Sequence, residues 1–174
     1  MDIALPRLPH RQFRPAALLS ALLLGAVALS AAPTSALAGP FADFRGSWSG
    51  SGTIHPQNGE TERIRCRASY KPSGGERELE AHLRCASDSY NFDLSGHFVA
   101  DEHNQVSGQW TENSRNVGGT ALGNIRGDRL IVRVEAPGLS ADLTMVMHGK
   151  RQSVTISSFG AGQIVKATVS LGRS

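Results

Sequence analysis

The chain has 174 residues, 40% of them hydrophobic and 19% charged, with 18 Lys and Arg against 15 Asp and Glu. The basic excess sits in the first 38 residues, where Arg7, Arg11 and Arg14 face Asp2 alone, and residues 39–174 keep 15 basic against 14 acidic side chains. That balance excludes the broad basic footprint of a nucleic-acid binder, and the length suits one hydrophobic core.

In chain order, residues 1–38 read as a cleaved signal peptide. Three arginines precede an apolar stretch over residues 16–32, and Ala36-Leu37-Ala38 fits the small-x-small cleavage rule, with Gly39 as the first mature residue. Ser20, Gly25 and Ser30 interrupt the apolar run and no charged stop-transfer segment follows. A membrane anchor is therefore disfavoured and the mature chain is expected to carry no transmembrane segment. The expected compartment is the bacterial periplasm or the extracellular space.

Residues 44–54 alternate small or aromatic residues with polar ones, which predicts a first strand ended by His55-Pro56. Residues 64–70 and 79–85 are two further alternating arms around Pro72 and Gly74-Gly75, a hairpin with one dry and one wet face. Cys66 and Cys85, the only cysteines, fall on the dry face of both arms. Two cysteines in an exported chain favour a disulfide, and pairing them places Tyr70 opposite Ala81. Further strands are predicted at Tyr90–Phe98, at residues 106–111, in a glycine-rich stretch at 117–125, and at 130–135, 139–148 and 154–157. In the last strand Val165, Ala167, Val169 and Leu171 are expected on one face. No segment of residues 39–174 shows a sustained 3.6 period. Eight to ten short strands with short turns predict an all-β antiparallel meander closing into a small barrel, with a β-sandwich as the alternative.

Gly46-Ser47-Trp48, Gly96-His97-Phe98 and Gly108-Gln109-Trp110 share a G-x-aromatic form, in which glycine lets the backbone bend or a ring lie across it. The pattern resembles the lipocalin/avidin (calycin) group of small β-barrels, whose first strand carries a G-x-W that closes one barrel end. The resemblance implies a closed meander with a ligand cavity, Gly46 and Trp48 at the closure, and Arg173 or Lys166 as a basic partner for Trp48. A looser likeness to uncharacterised exported alphaproteobacterial proteins implies a periplasmic setting.

Three constellations offer chemistry. Trp110, Tyr90, Phe92, Phe98, Met145 and Met147, with Trp48, could line an apolar cavity, beside which Gly50, Gly52, Gly108, Gly119 and Gly123 would leave room; the alternative is a filled core. Arg63, Arg65, Arg67 and Arg84 would form an outward anion-binding stripe able to grip an envelope glycolipid, or else a solvated face balanced by Glu78 and Glu80. Arg126-Gly127-Asp128 reads first as a hairpin turn. His55, His82, His97, His103 and His148 show no metal-ligand spacing, and Asp101, Glu102 and Glu112 read as solvated charges near turns. No catalytic residue, metal or cofactor is expected. The leading expectation is a non-enzymatic exported barrel that binds a small apolar or amphipathic ligand or an envelope component. The alternative is a periplasmic inhibitor of a hydrolase, acting through residues 55–60 or 113–116.

Overall fold

Along Glu62–Ser73 buried and exposed residues alternate almost without a break, and the same two-residue period runs through most of the chain. The computed structural model describes residues 38–160 and 164–174; the expected signal peptide lies outside the described residues apart from its last position. Strands β1 (Gly46–Pro56), β2 (Glu62–Ser73), β3 (Glu78–Ala86), β4 (Asn91–Ala100), β5 (Gln105–Glu112), β6 (Val117–Arg126), β7 (Arg129–Ala136), β8 (Leu139–His148), β9 (Arg151–Gly160) and β10 (Ile164–Arg173) pair antiparallel in sequence order. Pairing of β1 with β10 closes the sheet into a ten-stranded barrel, which bears out the all-β meander and rules out the sandwich. Closure satisfies the edge groups that an open sheet would leave unpaired.

Most apolar members of the alternation point inward, with Val99, Leu122 and Ile131 exposed as exceptions. Ser49, Ser51 and Thr53 of β1 and Arg63, Arg65 and Arg67 of β2 are on the outer face, opposite in polarity to the lipid-facing wall of a membrane barrel. Among the described residues no helix is long and apolar enough to cross a membrane.

Four sequence expectations need correction. The first strand begins at Gly46 rather than Phe44, because Ala42–Phe44 forms a short 3-10 turn and Gly46 adopts a φ of 116° that an L side chain would resist. It also runs on through His55-Pro56. Val165 does not share the inner face: a bulge opposite His55/Pro56 shifts the register, Ile164 turns in, and Val165 is 47% exposed. The glycines expected to leave room for a ligand do not. A Cβ at Gly50, Gly52, Gly119 or Gly123 would collide with a carbonyl oxygen of the neighbouring strand, at Ser170, Thr168, Glu135 and Ile131 respectively. The absent Cβ lets the neighbouring strand's backbone come close at these positions.

The hairpin pairing is as expected: Cys66 lies directly opposite Cys85 and Tyr70 opposite Ala81. The two cysteines form a disulfide, with Cα atoms 4.1 Å apart.

One barrel end is shut. Trp48, Phe41, Phe44 and Tyr70 are all at most 5% exposed. Phe44 meets Phe41 and Tyr70 edge-on at centroid distances of 5.6 and 5.8 Å. The 3-10 turn is tied beneath the barrel by the Phe41 N–H, which donates to the Glu76 carbonyl at 3.0 Å, while the Trp48 indole donates to the Phe44 carbonyl at 2.8 Å.

Candidate functional site: an apolar cavity open at one end

Above this plug the interior is not filled. A cavity of about 670 Å3 runs from Phe44, Tyr70 and Leu79 at the floor to Val117, Leu139 and Ile164 at the mouth. Ligand pockets commonly span roughly 300–1,000 Å3. Its middle is walled by Ala81, Leu83, the Cys66–Cys85 disulfide, Val132, Leu143 and Ile156.

The sequence-expected lining residues divide. Phe92, Phe98, Trp110 and Met145 face the cavity. Tyr90 precedes β4 and packs against the core without lining the cavity. Met147 is 5% exposed and lies below the cavity. There the buried Gln152 amide contacts both methionine sulfurs, at 3.0 Å for Met145 and 3.2 Å for Met147, and accepts from the Tyr70 hydroxyl at 3.1 Å. Burial pushes the Tyr70 phenol well above its ordinary value, so it remains a neutral donor. Trp48 sits in the plug, with the Arg173 guanidinium 4.7 Å from its ring centre. Lys166 lies at the opposite end, paired with His55.

The G-x-aromatic triplet on β4 has a direct geometric meaning. The Phe98 ring lies across Gly96 and Gly108; a Cβ at Gly96 would stand 2.5 Å from two of its ring atoms. The ring so placed lines the cavity. Trp110 pairs with Gly96 and Gly119, and its indole N–H donates to the Thr120 carbonyl at 3.2 Å. Its polar atom is satisfied while its ring borders the cavity.

Two mouth residues were not among the sequence candidates. Glu112 was read as a solvated charge, yet it is only 6% exposed. Its carboxylate accepts the backbone N–H of Asp93 at 2.9 Å and of Arg115 at 2.8 Å, and meets the Arg115 guanidinium at 3.3 Å. Burial alone would raise its pKa, but these donors outweigh that and hold it below the ordinary range. Arg115 is packed 5.5 Å from the centre of the Phe92 ring and donates to the Asn91 carbonyl at 3.1 Å. The signal that could have found them is Glu112-x-x-Arg115 bracketing a turn.

The arginine stripe is real as a surface. Arg63, Arg65, Arg67 and Arg84 are all exposed, and Arg67 lies opposite Arg84. Glu78 and Glu80 do not balance it, because they lie opposite Ser73 and Lys71 at the other end of the hairpin. Arg84 instead pairs with Asp93 at 3.0 Å. The five histidines of residues 39–174 are exposed and none lines the cavity.

No family model matches the chain, and no curated protein matches it in sequence. Solved structures do match in fold. The chain is similar to Rv2717c from M. tuberculosis, with a TM-score of 0.62 and 14% identity over 76% of this chain and 94% of that one. It is also similar to the S-type phycobiliprotein lyase CpeS from Guillardia theta, with a TM-score of 0.54 and 12% identity over 77% of this chain and 90% of that one. Identities this low show the fold alone: this chain shares the small, calycin-like closed β-barrel of both.

Proposed function

We propose that this protein is a non-enzymatic exported barrel that binds a small apolar or amphipathic ligand in its interior. The single observation that carries the reading is the 670 Å3 cavity, walled by aliphatic and aromatic side chains and, among the described residues, plugged at one end only. Burying an apolar molecule against such a wall is favourable by about 25 cal/mol per Å2 removed from water, before the costs of association. Catalysis has no comparable support, since among the described residues the charged groups on the cavity wall are Glu112 and Arg115 and both make structural hydrogen bonds.

The disulfide in the barrel wall fits an oxidising compartment and so supports the export reading. The calycin-like architecture and the Trp48–Arg173 contact at the plug support a lipocalin-type carrier over a solid-core inhibitor. The inhibitor reading calls for a filled core and a rigid working loop, and the cavity speaks against the first.

Native mass spectrometry of protein purified from the secreted or periplasmic fraction tests the proposal. The expected result is a protein carrying one small apolar molecule that leaves on collisional activation. A stoichiometric complex with a second polypeptide and no bound small molecule would favour the inhibitor.

A further inference from the structure

Resting on the reading that the cavity holds a ligand, we infer that Arg115 is a head-group site and that the preferred ligand is an anionic amphiphile, its apolar body in the barrel and its carboxylate or phosphate at the mouth. Arg115 is the one cationic side chain lining the cavity among the described residues, and it stands where the apolar wall gives way to water. Its side chain is 43% exposed, and its position is fixed by Phe92 under the guanidinium and by the Asn91 carbonyl. Both polar partners take Nη1. Nε and Nη2 have no partner among the described residues, and they form the fork that grips a planar carboxylate or a phosphate.

The rim is asymmetric in a way that orients such a ligand. Val117, Pro137, Leu139 and Ile164 make an apolar lip over β6, the β7–β8 turn and β10. The side from β2 to β5 is polar and strapped by hydrogen bonds: Ser89 N–H to Glu62, Asn113 to Asp93 and Ser95, and Arg115 to Asn91. An amphiphile leaving the barrel would rest its chain against the lip and present its head to Arg115. Glu112 offsets part of the Arg115 charge, so the head-group preference is modest. One charge-assisted hydrogen bond gained at the mouth gives about a tenfold preference.

Calorimetric titration with dodecanoate, dodecyl phosphate, dodecanol and dodecyltrimethylammonium, each below its micelle concentration, tests the site. The wild-type protein should bind one or both anions about tenfold more tightly than dodecanol, and the better of the two names the head group. Within Arg115→Gln the anions should fall to the level of dodecanol, Arg115→Lys should recover part of the preference, and added salt should narrow the gap. Equal affinity for all four would overturn the head-group site while leaving the cavity reading intact. So would tighter binding of the cation, or an anion preference that Arg115→Gln leaves intact. Binding of none of the four would sink the cavity reading and this site with it.

Discussion

Arg173, the last residue of β10, stands in register with Trp48 near the start of β1 and holds its guanidinium 4.7 Å from the centre of the indole ring. The same guanidinium donates to the Asp43 carbonyl of the 3-10 turn. First strand, last strand and plug therefore meet at one ring.

Replacing Trp48 should be the most damaging single change in the plug. Trp48→Ala is expected to cost about 3–5 kcal/mol, the usual loss for a buried aromatic. Trp48→Phe should keep much of the packing but lose the bond to the Phe44 carbonyl, at about 1 kcal/mol. Arg173→Ala should cost about 0.5–1 kcal/mol, the size of a partly exposed cation–π contact. Urea unfolding of the three variants checks the order; a Trp48→Ala protein as stable as Arg173→Ala would contradict the closure.

The disulfide crosslinks neighbouring strands in direct register, so it should be complete in native protein. Alkylation followed by mass measurement should find no free thiol before reduction and two after it. Cys66→Ser should lower stability by about 2–4 kcal/mol. Two reactive thiols in oxidised, folded protein would count against the assignment.

Glu112 makes stability fall in acid. Its folded-state pKa lies below the ordinary 4.5, so its contribution is complete above that value and is lost as the pH drops through the lowered folded-state value. Glu112→Gln should flatten the acid limb of a stability-against-pH curve. It should also speed amide exchange at Asp93 and Arg115, whose N–H groups lose a charged acceptor. An unchanged acid limb, with both amides still protected, would show that the carboxylate does not hold this turn.

Gly96→Ala should strain the wall, because the added Cβ would reach the Phe98 ring at 2.5 Å. An overpacking cost of about 1–3 kcal/mol is expected. If the ring contact is the cause, Phe98→Leu in the Gly96→Ala background should recover part of it. A fully additive double variant, measured by thermal unfolding, would separate the two residues.

Meander order and the cysteine register were legible in the sequence because each depends only on a two-residue alternation and on where turns fall, whereas the strand number was fixed only to eight to ten. The alternation also placed Phe92, Phe98, Trp110 and Met145 on the inner face. It could not say whether that face encloses space, which depends on side-chain packing across a barrel of ten strands. Parity also failed locally. The bulge at His55/Pro56 swapped Val165 for Ile164; Pro56, a residue that strands tolerate at edges and bulges, was read as the strand's end instead. Tyr90 fell outside its strand, and Met147 was taken up by Gln152 in the floor. Glu112 looked solvated because its acceptors are filled by backbone N–H groups brought in from β4 and from its own turn, contacts without a side-chain signature. The glycines misled in the opposite direction: an absent Cβ reads as room, but the neighbouring strand's carbonyl already occupies it.

The central claim is that the barrel is open inside, and titration with a neutral apolar fluorophore such as N-phenylnaphthylamine tests it most directly. The account predicts saturable binding of one probe per chain with a change in Trp110 emission. Ala81→Phe, which puts a ring into the cavity from its wall, should weaken that binding strongly while the protein stays folded. Trp110→Ala should cost less stability than Trp48→Ala, because its ring borders empty space rather than a packed shell. No saturable binding, together with equal and large losses of stability at Trp48 and Trp110, would mean a filled interior and would contradict the carrier.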